Sequence, residues 1–177
     1  MISLTATAGE LGELREWINQ IQALFGLDMA YDCVSLWADV EMPERYLVAV
    51  EETGSWPTLF ESSMETELES RFAVQKVVKG QVSVKHGRSL KQAENGTYLS
   101  VSDRTSEPGY GPELREEVTD ILAALEYIPG WLGHYVGGNL AIPEEVTGWV
   151  LWNSPEAFQQ SVPRGSFYEI RLFHRIG

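Results

Sequence analysis

Along residues 14–27, LREWINQIQALFGL, apolar side chains return every three to four positions. Leu14, Ile18, Ile21 and Phe25 form one stripe of an amphipathic helix. Residues 114–127, LREEVTDILAALEY, carry the equivalent stripe at Leu114, Val118, Ile121 and Leu125. Each helix follows a short β-rich segment, MISLTATA (1–8) or GTYLSVSD (96–103), and precedes two strand-like runs joined by a proline turn. Those runs are CVSLWADV with RYLVAVEE, then GHYVGGNLAI with VTGWVLWN. A shorter helix is predicted after Trp56-Pro57 and again after Ser154-Pro155. A last strand, 73–86 or 166–176, closes each half.

The order β-α-β-β-α-β therefore occurs twice, and the residues agree as well as the pattern. The two helices align with MPERYLVAV (42–50) over IPEEVTGWV (142–150), so Pro43-Glu44 falls on Pro143-Glu144 and Val50 on Val150. A two-residue slip puts Phe60 on Phe158. The reading is an α+β chain of two tandem ferredoxin-like modules, 1–88 and 96–177, with the polar, glycine-flanked segment 89–95 as linker. A four-stranded sheet with helices on one side leaves an apolar face bare, and two copies can cover each other's. The fold class expected is an internal dimeric α+β barrel, packed sheet to sheet. Further homodimerisation of this pseudo-dimer stays open.

Charge narrows the partners. The formal net charge is −13, with 13 basic residues scattered along 177 positions. Nucleic acid and anionic membranes both need clustered Lys and Arg, so neither is an expected partner. The first residues show no basic n-region or long apolar run, and no window is apolar enough to span a bilayer. The expected location is cytoplasmic, which leaves the Asn95-Gly96-Thr97 sequon idle. Cys33 stands alone, so it forms neither an internal disulfide nor a zinc cluster and reads as a small core residue. No His and carboxylate spacing suits a metal. GYGPE (109–113) lacks the lysine and glycine spacing of a phosphate loop, and ESSMETELES (61–70) reads as a solvated helical face.

In the second half, PGWLGHYV and VLWNSPEAFQQS resemble the dimeric α+β barrel superfamily, and its antibiotic-biosynthesis-monooxygenase-like branch in particular. The first resembles the Gly-aromatic start of that family's second strand. The second resembles its third strand's tryptophan, Ser-containing cap and apolar second helix. The first half departs from this pattern, with Glu52 where Trp152 would be. The resemblance implies a small-molecule pocket of the cofactor-independent monooxygenase type, acting on an aromatic or enolisable substrate. It implies no cofactor, although the superfamily also includes haem-degrading enzymes. A non-catalytic ligand-binding or interaction protein on the same barrel is the alternative, and haem binding a weaker one.

On that resemblance the second half holds the site. Its catalytic candidates are His134, Tyr135 and Trp152: His134 as a base near neutral pH, Tyr135 as an orienting group. Trp131, Trp152 and Phe158 would form the apolar wall against a small apolar or aromatic ligand. Each has a plainer alternative: Trp152 as a large core residue, His134 as a buried structural histidine. Trp149, of opposite strand parity, should pack between the halves. Asn153 or Ser154 should cap the following helix, with Pro155 and Glu156 in its first turn. In the haem-degrading branch the pocket tryptophan is accompanied by a strand-one asparagine and a second-helix histidine. Here TYLSVSD has no asparagine, and PEAFQQSV carries Gln159 and Gln160 but no histidine. His86 and His174 occupy matching ends of the two last strands and read as exposed.

Overall fold

A computed structural model describes residues 2–5, 10–25, 31–52, 66–77, 80–162 and 169–177. The elements are β1 (Ile2–Thr5), α1 (Leu11–Phe25), β2 (Tyr31–Asp39), β3 (Arg45–Glu52), α2 (66–71), β4 (Ala73–Val77) and β5 (Gly80–Gly87). After a 3-10 turn at Leu90–Gln92 come β6 (Tyr98–Thr105), α3 (Gly111–Ala124) and a second 3-10 turn (Leu125–Tyr127). The chain ends with β7 (Trp131–Asn139), β8 (Glu145–Trp152), α4 (Pro155–Ser161) and β9 (Ile170–Arg175). Of the helix stripes, Leu14, Ile18 and Val118 are buried and Leu114 and Leu125 half-buried, whereas Ile121 is exposed and its place in the core is taken by Leu122, outside the expected stripe. The side chains of Ile21 and Phe25, and the expected helix start at Trp56-Pro57, lie outside the described residues. Among the described residues no helix is long and apolar enough to cross a membrane.

All nine strands form one antiparallel sheet in the order β4-β1-β3-β2-β9-β6-β8-β7-β5. Each half lays down its fourth, first, third and second strands in the same sequence. The two central hairpins also share a register. Val34↔Val50, Leu36↔Val48 and Ala38↔Tyr46 recur, displaced by 100 residues, as His134↔Val150, Val136↔Gly148 and Gly138↔Val146. The same irregularity interrupts both, between Tyr31 and Cys33 and between Trp131 and Gly133. Asp39 and Asn139 close the two turns alike: the Asp39 carboxylate accepts from Glu41 and Met42 N–H, and the Asn139 amide oxygen accepts from Ala141 N–H.

Two seams join the halves edge to edge. β2 pairs with β9 through Trp37↔Arg175, and β5 pairs with β7 through His86↔His134. The expectation of a single strand over 73–86 closing the first half is therefore corrected. β4 pairs with β1 of the first half, whereas β5 has crossed to the edge of the second. The reason is covalent: β4 ends at Val77 and β5 starts at Gly80, so the two outermost strands are separated by no more than roughly 10 Å of chain. The sheet must curl to bring its ends that close. The protein is thus an α+β ferredoxin-like fold with a curled antiparallel sheet and helices on its outer face.

Strand alternation sorts the core into three clusters. α1 contributes Leu14, Trp17 and Ile18 to one face of the first-half strands, against Val34, Leu36 and Val48. α3 and α4 cover the equivalent face of the second half, with Val118, Leu122 and Ala157 against Val136, Val150 and Trp152. The opposite face holds residues of both halves: Trp37, Leu47 and Ala49 with Leu99, Tyr135, Leu151 and Phe173. Trp149 packs there, as its parity predicts, with its ring 6.2 Å from Tyr135. Half-buried Cys33 packs there too, and burial raises its thiol pKa.

The segment 89–95 is not a loose polar tether. Leu90 is 1% exposed and, with Ala93, enters the inner cluster. Its backbone N–H donates to the Tyr135 hydroxyl at 2.7 Å. The Arg175 guanidinium lies 5.9 Å from the Trp37 ring and donates to the carbonyls of Leu90 (2.8 Å) and Ala93. Truncating Leu90 leaves a hole where no helix can slide in to fill it. Leu90→Ala should cost about 2–5 kcal/mol, read as a lowered urea midpoint; a change under about 1 kcal/mol would mean the segment is a passive linker.

Candidate functional site

One end of the second-half sheet gathers aromatic side chains on the face covered by α3 and α4. Tyr98 of β6 is in register with both His174 of β9 and Trp152 of β8, and Trp152 with Trp131 of β7. The row His174–Tyr98–Trp152–Trp131 therefore crosses four neighbouring strands. Ring separations are 6.5 Å for Tyr98 and His174, and 6.4 Å for Trp152 and the Phe158 ring of α4. At its far end Trp131 stands 5.9 Å from His134 and 5.7 Å from His86.

The corner that holds this row is built by short-range chemistry. Ser154 is the N-cap of α4, its hydroxyl accepting from Ala157 N–H at 3.2 Å, with Pro155 in the first turn. Asn153, the other candidate cap, instead donates its backbone N–H to the Gly130 carbonyl at 2.9 Å. Gly130 has φ +97, and a Cβ there would lie 2.5 Å from both Asn153 Oδ1 and Ala157 Cβ. The glycine at the start of the PGW segment is thus required by backbone conformation and by the packing of α4.

Trp152 is wholly buried, and its indole N–H donates to Ser100 Oγ at 2.9 Å. Ser100 was not singled out from sequence. It occupies β6, where the resemblance led to a search for an asparagine. The hydrogen-bonding capacity of the Trp152 indole is therefore already used.

His134 and Tyr135, paired as catalytic candidates, are placed on opposite faces of the sheet, because successive strand residues alternate. His134 faces the helices, with the Trp131 ring 5.9 Å away. Tyr135 enters the inner cluster, where its hydroxyl donates to Glu51 Oε2 at 3.2 Å and the Lys85 ammonium lies 5.5 Å from its ring. Lys85 also pairs with Glu51 across the halves. Burial, followed by the Glu51 charge, raises the Tyr135 pKa, so the phenol stays protonated. Tyr135 is a tie between halves and is withdrawn from the aromatic site.

His134 is 1% exposed, and its Nδ1 has no hydrogen-bond partner. Desolvation lowers its pKa, opposed by the Glu126 carboxylate and assisted by His86. The Trp131 Nε1, also buried, lacks a partner too. His86 is exposed as expected from sequence, yet it is not idle, because its Nδ1 lies 2.6 Å from Glu126 Oε1. Among the described residues no group of three or more His, Cys, Asp or Glu is placed to hold a metal ion. In α4 the side chains turned toward the sheet are Ala157 and Phe158.

A buried histidine held neutral gives stability a pH dependence. Below about pH 6.5 the unfolded chain protonates this histidine before the folded chain does, so folding stability falls as pH drops past that value. Urea midpoints should decline from about pH 7 to about pH 5, and His134→Gln should flatten part of that slope. An identical slope in the variant would mean that the buried ring is not the group responsible.

No protein-family profile matches the chain, and no curated protein sequence matches it. Solved structures do match. A protein described as a monooxygenase from Lactobacillus acidophilus superposes with a TM-score of 0.69 at 13% identity, covering 98% of this chain and 91% of that one. A ferredoxin-fold protein related to antibiotic biosynthesis monooxygenases, from Listeria monocytogenes, gives 0.60 at 10% identity, over 99% and 93%. A haem-degrading enzyme from Listeria monocytogenes gives 0.59 at 12% identity, over 97% and 96%. At such identities the likeness is one of fold alone, an α+β ferredoxin-like fold.

Proposed function

We propose that the chain is two tandem ferredoxin-like modules, 1–88 and 96–177, fused into an internal dimeric α+β barrel whose second module binds a small aromatic molecule. Three observations support the modular reading: the repeated strand order, the common hairpin register at a displacement of 100 residues, and the matched solved chains. Each of those chains aligns over nearly its whole length with nearly all of this one, so the arrangement recurs in single chains of similar size. Expressed alone, residues 96–177 would expose the inner face built by Leu99, Leu151 and Phe173. That fragment should self-associate or fail to fold; a stable monomer on sedimentation would reject the internal dimer.

The activity that fits best is oxygenation of an enolisable aromatic substrate without a cofactor, as in the monooxygenases that neighbouring structures are named for. The carrying observation is the pair of buried, unpartnered polar atoms, His134 Nδ1 and Trp131 Nε1, beside an aromatic row. Buried polar groups are nearly always hydrogen-bonded, so two without partners in one corner suit a ligand that brings polar atoms. Flat aromatic surface beside them suits a planar ring. His134, held neutral by burial, takes a proton from the substrate carbon. The electron pair left behind reduces dioxygen, forming a carbon–oxygen bond to a hydroperoxide. Cleavage of its O–O bond, with loss of the second hydrogen on that carbon, leaves a carbonyl and releases water. The substrate supplies the electrons. Trp152 and Phe158 enclose the ring, and Trp131 donates to a substrate oxygen.

The second reading, a binding module without chemistry, draws on the complete burial of Trp152 and the use of its N–H by Ser100. Oxygen uptake separates the two. The wild type should consume oxygen with anthrone-like or quinol substrates, and His134→Ala should lower the rate by about 100-fold or more while remaining folded. No uptake, together with quenching of tryptophan fluorescence by the same compounds, would leave the binding module standing.

A further inference from the structure

His86 and His134 are register partners in β5 and β7, so their side chains stand side by side on one face of the sheet, with ring centroids 5.9 Å apart. One carboxylate oxygen faces both. Glu126 Oε1 lies 2.6 Å from His86 Nδ1 and 3.9 Å from His134 Nδ1. Exposure rises in order along this line: the His134 side chain is 2% accessible, Glu126 28% and His86 60%. An ion pair serving only the surface would engage His86 and Glu126 and leave the third group elsewhere. Here the carboxylate sits between a ring sealed from water and a ring open to it.

We propose that Glu126 and His86 form a proton outlet for His134, carrying a proton from the enclosed face of the sheet to solvent. Neither touches the ligand, so both are positioning residues, and their catalytic meaning rests on His134 acting as the base. The steps conserve charge. The imidazolium of His134 releases its Nδ1 proton to the Glu126 carboxylate. The carboxylic acid passes a proton to the neutral ring of His86, and that ring gives one up to water. No electrons leave the substrate by this route, and Glu126 ends as it began. The gap of 3.9 Å closes by rotation of the Glu126 side chain, which is partly solvent-exposed in the middle of a 3-10 turn.

No other charged group among the described residues competes for His134. β8 presents Val150 as its register partner, and α3 packs Val118 and Leu122 into the same cluster. The neighbouring aromatic ring, Trp131, carries no charge. The electrostatics agree with the geometry: the Glu126 charge favours protonated His134, and the His86 charge opposes it. Lys85, next to His86 in β5, is turned to the opposite face, toward Glu51 and Tyr135.

The coupling can be read without any reaction, by following the His134 imidazole resonances of the full chain during an NMR pH titration. In Glu126→Gln the His134 midpoint should move down, because an attracting charge is lost. In His86→Gln it should move up, because a repelling charge is lost. A His134 curve unmoved in both variants would overturn the proposal, whatever the fate of the oxygenase reading. With a substrate that supports oxygen uptake, His86→Gln should slow turnover at low buffer concentration, by up to about 100-fold, and imidazole in the buffer should restore it. Full turnover without imidazole would also overturn the outlet, while loss of turnover in His134→Ala would still uphold the base. Unaltered turnover in His134→Ala would instead remove the base, and the titration alone would then decide whether the three groups are coupled.

Discussion

The pairing of β5 with β7 is the contact on which the rest of the molecule depends. It takes a strand that is covalently continuous with the first half and hydrogen-bonds it to the outer edge of the second. Because β4 stays with β1, the two ends of the nine-stranded order are brought together and the sheet has to curl. Curling turns the bare faces of both halves toward each other, and each then removes the other's apolar side chains from water. It also covers the edge of β7, which would otherwise present unpaired backbone groups. The second seam, β2 with β9, does the same on the other side, and Arg175 at that seam fastens the 89–95 segment to the interior.

The same pairing builds the chemistry. His86 belongs to the first half by sequence and to the second by hydrogen bonding, and only that exchange sets it beside His134 and Glu126. On the opposite face the neighbouring residue, Lys85, meets Glu51 of β3 and the Tyr135 ring. One strand thus supplies a histidine to the outer face and a cation to the inner tie. The inner tie is polar but enclosed: Leu90 N–H donates to Tyr135, whose hydroxyl donates in turn to Glu51. A network satisfied in this way fixes the relation between halves, since shifting either one would strand buried polar groups.

Where the sequence was legible, the reason was local. The buried positions Leu14, Ile18 and Val118 follow from helical period, although the expected Ile121 gives way to Leu122, one position round the helix. The Ser154 cap with Pro155 follows from the free N–H groups of a first helical turn. The opposite facing of Trp149 and Trp152 follows from strand period alone. The same rule separates His134 from Tyr135, yet residue chemistry had drawn both into one site; alternation was the signal that should have parted them. Ser100 was passed over because an asparagine was sought at β6, whereas a small hydroxyl satisfies the indole of Trp152. Glu126 carried no motif at all, being one acidic residue among 26 acidic residues.

By itself, the sequence determined the order of elements in the second half, most of the faces of helices and strands, and the aromatic residues crowded near the β7 and β8 ends. Those properties depend on neighbours a few positions away. Only the tertiary structure decided that β5 leaves its own half, that 89–95 is interior, and that His86, Glu126 and His134 share a corner. These outcomes depend on which strand edges meet. Edge choice is set by closure of the whole sheet, a global condition that no local spacing of residues encodes.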